Sequence, residues 1–344
     1  MRDGNIVIVK GDEVASLLNG RELDLIREVR NAYEAHASGQ SYLPHSTFLY
    51  FPDDSRSRII ALPAFLGADF QVAGVKWVAS FPGNIEEGID RASAVVILNS
   101  TTTGRPDAII EASYINAKRT AASAALAAQT LSRGAAVDCV GMLGCGFINF
   151  EIIRFLKVAF PDINRLVIFD LDVKRAGQFK KKCLEKFGPL EINIVDDVAS
   201  ALSASTIVSV ATTASKPHIH DLSYCAPGTT ILHISLRDFS PEVILANDNV
   251  VDDIDHVCRA QTSLHLTEQL TGNRDFIRCS LADVTLGRAR PKRDENAISI
   301  FSPFGLGILD MAVAKFVRNL AIENGQGITI DSFLPNSWCM ISDG

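Results

Sequence analysis

Three side chains stand where their type and surroundings suit chemistry on a small acid. Lys76 sits mid-strand in Gly74-Val-Lys76-Trp77, where an ammonium group is costly unless it faces polar partners. A desolvated lysine can hold a carboxylate or exchange a proton; a lysine on a solvent-facing strand is the plainer alternative. Arg119 lies in an Ala-rich helical stretch, and its guanidinium fork can grip an α-carboxylate through two hydrogen bonds or simply face water. Asp238 follows the apolar run 229–234, at the carboxyl end of a strand, where open α/β sheets bind ligands. Its competing role is to cap a segment beginning at Pro241. Arg91 and Arg237 are further cations, either for a substrate with several carboxylates or as solvated charge.

A fourth feature is a turn. The stretch 137–149 places Gly144-x-Gly146-x-x-Asn149 between an apolar strand and an amphipathic helix carrying Ile148, Ile152, Leu156 and Ala159. Gly144 permits a tight bend, Gly146 lets backbone approach a pyrophosphate, and the helix start offers free N–H groups to the anion. Asn149 replaces the usual Gly or Ala, so a slightly wider helix–strand spacing is expected. The next strand, Leu166-Val-Ile-Phe-Asp170, ends in an acid that can accept hydrogen bonds from ribose hydroxyls and repel a 2′-phosphate. This favours NAD over NADP, although Lys174 and Arg175 follow closely.

The elements that must position these residues can be read from periodicity. Residues 22–37 form an amphipathic helix on Leu25, Ile26, Val29, Tyr33 and Ala37. Strand-like runs at 58–62, 72–79 and 94–99 are separated by Pro63, Pro82-Gly83 and Gly104. Residues 111–131 read as a closely packed connecting helix. After Arg133-Gly134, apolar runs at 137–143, 166–170, 191–195, 206–211, 229–234 and 249–252 alternate with helical stretches, the pattern of βαβ units and a parallel sheet. A last helix past Gly305, with Ile308, Ala312, Phe316 and Leu320 on one side, is expected to pack on the first half.

The 344 residues, 47% hydrophobic with a net charge of -7, describe a globular chain of roughly two domains at ~150 residues each. Forty acidic against thirty-three basic residues argue against nucleic acid or a membrane surface as partner. No apolar signal core or run of membrane-spanning length is present. Seven cysteines without CxxC spacing suit a reduced, cytoplasmic protein. His218-x-His220 is too short for a metal pair, neither HExxH nor a Cys/His set occurs, and no G-x-S-x-G elbow points to serine hydrolysis.

From about Arg58 to Lys315 the sequence resembles the ornithine cyclodeaminase/mu-crystallin family. The resemblance is carried by Gly74-Val-Lys76-Trp77, Arg91-Ala-Ser-Ala-Val-Val-Ile-Leu-Asn99, Glu111-Ala-Ser113, Arg119-Thr-Ala121, Gly144-x-Gly146, Ser235-Leu-Arg-Asp238, Val251-Asp-Asp253 and Ser302-Pro-Phe-Gly305-Leu-Gly-Ile-Leu-Asp310. It implies an α/β fold in which a Rossmann-type NAD domain (121–311) is inserted into a second α/β domain for substrate and dimerisation (1–120 plus 312–344), and hence a homodimer. It implies that Lys76 and Arg119 meet the substrate carboxylate, and that Asp238 lies beside the amine, taking its proton and then helping water attack the imine. It also implies that Thr120, Phe147, Ile148, Thr212, Thr213, Ser302 and Gly305 join Gly144, Gly146 and Asp170 around the cofactor. The family's second carboxylate-binding arginine lies upstream, where this chain reads Phe48-Leu-Tyr-Phe51; the nearest arginines are Arg56 and Arg58. The stretches 58–63, 76–78, 91–93 and 233–238 look closest to members that oxidise and hydrolyse an amino-acid conjugate to 2,3-diaminopropionate and 2-oxoglutarate. Other members are cyclodeaminating lyases, imine or ketimine reductases, and a non-catalytic lens crystallin.

Overall fold

The computed structural model describes residues 4–132 and 136–335; Arg133-Gly134, where the sequence pattern changes, lies outside them. The chain divides into two units, one made of 1–21, 38–119 and 307–344, the other of 22–37 and 120–306. The division falls inside the helix Ser113–Leu131. The sequence reading places residues 22–37 with the first domain and 307–311 with the second; this division assigns both the other way. The helix Glu22–Ala37 belongs with the second unit, held there by a 2.7 Å bond between the Tyr33 and Ser123 hydroxyls and by His36 on Asp253.

The first unit is built on a mixed sheet in the order Ile328–Ile330, Ile6–Val9, Pro106–Glu111, Ala92–Asn99, Val72–Ser80, Asp54–Leu66 and Ser41–Tyr42, with Thr47–Phe51 also paired to Asp54–Leu66. The runs read as 58–62, 72–79 and 94–99 are its central strands. Pro63 does not end its strand as the sequence suggested. It pairs with Val75, and it falls between the stretch covered by Thr47–Phe51, which ends at Ala61, and the stretch covered by Ser41–Tyr42, which starts at Phe65. Its missing N–H therefore interrupts no ladder on that side.

Strand alternation sends neighbouring residues to opposite faces. Lys76 shares a face with Leu62 and Val96, its register partners. The helix Gly307–Glu323, the last helix foreseen from sequence, covers this face. Gly74 permits the approach, because a Cβ there would sit 2.1 Å from the Ile97 carbonyl and 3.0 Å from Met311 Sδ. The opposite face carries Tyr42, Leu49, Phe65 and Trp77, between 36% and 73% exposed.

The second unit holds an all-parallel sheet in the order Glu191–Ile194, Arg165–Phe169, Cys139–Leu143, Ile207–Val210, Thr230–His233, Ser299–Ser302, Asp248–Val251 and Ile277–Ser280. All six runs read from the sequence are strands here. Ile277–Ser280 and Ser299–Ser302 complete the sheet and were not foreseen. The central strands Cys139–Leu143, Ile207–Val210 and Thr230–His233 are buried on both faces, as parallel strands covered by helices must be. Chain order reverses about Cys139–Leu143, which creates the crevice where doubly wound sheets receive ligands. Among the described residues no helix is long and apolar enough to cross a membrane.

Candidate active site

The glycine turn occupies that switch point. Gly144 has φ +90°, and a Cβ on it would meet the Ala211 carbonyl at 2.4 Å, so only glycine fits. Gly146 faces open space and precedes the helix Phe147–Ala159, whose start has no side-chain cap. This leaves the Ile148 and Asn149 amides of the first turn without a side-chain cap, where an outside acceptor can meet them; Phe147 stands half-exposed beside them. Asn149 has a further role. Fully buried, it donates to the carbonyls of Leu143 and Gly144 at 2.9 and 2.6 Å and accepts from Ser209 Oγ at 2.7 Å, so it clamps the turn to the neighbouring strand. Asp170 sits at the end of the second strand as expected, and its carboxylate also accepts the Cys145 N–H at 2.7 Å. Acid and turn are thereby fixed to each other.

Asp238 is fully buried in the same unit. It lies in the turn 235–238, in which Leu236 is forced to φ +69°, a conformation that costs a side-chain-bearing residue of order 1 kcal/mol. Its carboxylate accepts from Thr212 Oγ1, from Ser235 Oγ at 2.5 Å and from His218 Nε2 at 3.1 Å, and lies 3.3 Å from His233 Nε2. Burial alone would raise its pKa, but the hydrogen bonds from His233, Ser235 and Thr212 overcome this and hold the carboxyl well below the usual range. The capping role does not apply: Ser240 occupies the cap position of Pro241–Ala246. His233, pushed toward its neutral form by burial, bridges to Ser302 Oγ at 3.1 Å. Ser302, expected beside the cofactor, is therefore turned to His233. Thr213 is exposed. Gly305, at φ +92°, donates to Asp252, whose burial pushes its pKa up to about 6. Arg237 donates to the Ala260 carbonyl at 2.7 Å.

In the first unit, Lys76 and Arg119 converge on one carboxylate. Lys76 Nζ pairs with Asp310 Oδ2 at 2.7 Å, Arg119 Nε with Asp310 Oδ1 at 3.1 Å, and both cations donate to Asn116 Oδ1 at 2.9 and 2.8 Å. All three charged groups are buried. Desolvation first, and then the Arg119 charge, push Lys76 down to about 8 against the opposing pull of Asp310. Two cations share one anion, so the cluster carries one surplus positive charge. Thr120 follows Arg119 on the helix, half-buried.

Arg58 pairs with Ser80 and thus lies on the Lys76 face, about 13 Å along the strand at 3.3 Å per residue. Arg91 is partly buried; desolvation and then the neighbouring Arg58 charge lower its pKa. Among the described residues neither guanidinium has a hydrogen bond or ion pair. The sequence reading missed Asn116, His218, His233 and the part played by Asp310. Asp310 had left a trace as the last residue of the Ser302–Asp310 motif, His233 as the first of the 233–238 stretch, and His218 only in the short His218-x-His220 pair set aside as a metal site.

The model of the ornithine cyclodeaminase/mu-crystallin family matches residues 7–325. The chain is 27% identical over 308 residues to N-((2S)-2-amino-2-carboxyethyl)-L-glutamate dehydrogenase of Staphylococcus aureus, covering 88% of this chain and 91% of that enzyme. It is 29% identical over 334 residues to alanine dehydrogenase of Archaeoglobus fulgidus, covering 95% and 98%. Its fold matches an archaeal alanine dehydrogenase dimer with bound NAD at a TM-score of 0.85 and 27% identity, over 95% of this chain and 99% of that one. The matched span takes in the glycine turn and both carboxylate clusters, and the chain belongs to the ornithine cyclodeaminase/mu-crystallin family.

Proposed function

We propose that the protein is an NAD-dependent amino-acid dehydrogenase that converts N-(2-amino-2-carboxyethyl)-L-glutamate to 2,3-diaminopropionate and 2-oxoglutarate, a step that feeds siderophore or peptide-antibiotic assembly. The residues present fit NAD: Gly144 and Gly146 leave the space, the uncapped start of Phe147–Ala159 offers the amides, and Asp170 suits ribose hydroxyls. When bound, NAD supplies the acceptor for a hydride from the substrate Cα, leaving an imine that water hydrolyses.

The observation that carries the substrate reading is the surplus of buried cations. The Lys76–Arg119–Asp310 cluster has room in its charge balance for one carboxylate, and Arg58, with Arg91 charged nearby, stands on the same sheet face as Lys76 without a carboxylate of its own. An extended substrate with several carboxylates uses all four cations; alanine uses two. Lys76 and Arg119 hold the α-carboxylate and fix the orientation of Cα, and Asp238 supplies a fixed negative charge for the amine proton.

The test is NADH production. Stoichiometric NADH and 2-oxoglutarate are expected from N-(2-amino-2-carboxyethyl)-L-glutamate, with kcat/KM well above that for alanine. Equal kcat/KM for alanine would overturn the substrate assignment, and consumption of ornithine with ammonia release but no net NADH would make the protein a lyase.

We also assign the apolar sheet face with Trp77 to a second copy of the chain, because an exposed patch of this kind marks an interface. Sedimentation at micromolar concentration should give a dimer that Trp77→Glu dissociates, and a monomeric wild type would remove the assignment. A cytoplasmic location suits the buried free thiols among the described residues.

A further inference from the structure

We propose that His218 is the group that takes and returns the substrate proton, and that Asp238 is its positioning residue, ionised throughout. This rests on the dehydrogenase reading above. The Asp238 side chain is 0% exposed whereas that of His218 is 40% exposed. Thr212 and His218 meet one Asp238 oxygen and Ser235 the other, beside His233 Nε2, which accepts the Asp238 amide at 3.3 Å, so an outside proton could reach this buried carboxylate only by displacing one of these neighbours. The protein has instead tied an imidazole to it twice. The His218 and Ile219 amides both donate to the Asp238 carbonyl at 2.9 Å, and Ile219 bridges Phe239 in parallel. The side chain then closes the pair through Nε2 at 3.1 Å from Oδ1. With Nε2–H directed at the carboxylate, the proton-accepting nitrogen is Nδ1, which makes no hydrogen bond among the described residues. A buried aspartate that orients one imidazole nitrogen and stabilises the imidazolium is the arrangement of an acid/base dyad.

The protons balance. Nδ1 accepts one from the substrate ammonium and frees the nitrogen lone pair. That pair forms the C=N bond as hydride leaves Cα with its bonding electrons, the acceptor being the dinucleotide of the proposed activity. The imidazolium releases this proton to solvent. Nδ1 then takes one proton from the water that adds to the imine carbon and returns it to the nitrogen, so that the C–N bond breaks with its electrons going to the amine; as C=O forms, the remaining hydroxyl proton passes to the freed amine, which leaves as an ammonium.

Two measurements test this. In 15N NMR of histidine-labelled protein, with the His218 signal assigned by its loss in His218→Gln, the neutral ring should carry its proton on Nε2; a proton on Nδ1 overturns the proposal whatever the substrate. In steady-state kinetics on any amine the wild type oxidises with NAD, His218→Gln should lower kcat at least ~10²-fold with NAD affinity within about threefold. Imidazole should restore part of the activity of His218→Ala but none of that of Asp238→Asn. Near-normal turnover in His218→Gln, or no rescue in His218→Ala, overturns the proposal. A wild type that oxidises none of N-(2-amino-2-carboxyethyl)-L-glutamate, alanine or proline overturns the dehydrogenase reading instead, and the tautomer still decides the His218–Asp238 arrangement.

Discussion

Each unit buries a carboxylate, and the two are compensated in opposite ways. Asp310 is neutralised by formal charges, two cations on one anion, while Asp238 is satisfied by hydroxyls and imidazoles. The difference sets what each site can still do. A cluster with surplus positive charge in a dry setting attracts another anion strongly, because burial magnifies Coulomb forces. A carboxylate surrounded by neutral donors has no surplus; its charge is fixed in place, and it acts by orienting what touches it.

The strongest way to break the comparison is at Asp310. Asp310→Asn leaves Lys76 and Arg119 buried without a counter-charge, and should cost about 3–5 kcal/mol of folding stability, read by urea denaturation; a loss below 1 kcal/mol would mean that the cations relax to water. Asp238→Asn, which removes a charge but no counter-ion, should cost far less stability while lowering turnover at least ~10²-fold with NAD binding nearly intact. Unchanged turnover would leave Asp238 a purely structural residue. At Lys76 the effect depends on pH. Its pKa is depressed to about 8, so the ammonium is present below that pH and lost above it, and the substrate KM should climb by up to about tenfold per pH unit beyond 8. Lys76→Ala should show a raised KM at pH 7 and a flat profile. The smallest effect concerns Asp170: NAD should bind at least about tenfold more tightly than NADP, or ~1.4 kcal/mol, measured by calorimetry, and Asp170→Ser should narrow that ratio.

The two carboxylates also differ in how far the sequence disclosed them. The parallel sheet was legible because short apolar runs alternate with helices at regular spacing, and the glycine turn because strand, turn, helix and acid follow in order. Ile277–Ser280 and Ser299–Ser302 were not, since each is four residues long with only two apolar side chains, too few to give a period to read. Asp238 could be singled out from its place after a strand. Its partnership with His218 could not, because it depends on an isolated bridge between loops. Asp310 sits in an apolar helix, 191 positions from Arg119, and only the fold shows that a carboxylate there faces two cations. Local pattern discloses where a charged residue lies; its compensation is a long-range property.

Cys145, between the two glycines of the turn, is buried, and burial followed by the Asp170 charge pushes its thiol up to about 12. At neutral pH the thiol therefore stays protonated, and the thiolate is the form that oxidants and electrophiles attack. The acid proposed to meet the ribose thus also shields the turn chemically. Peroxide or maleimide should spare the dinucleotide turn for as long as the chain stays folded, so oxidative inactivation of this protein would have to begin with unfolding or elsewhere in the molecule.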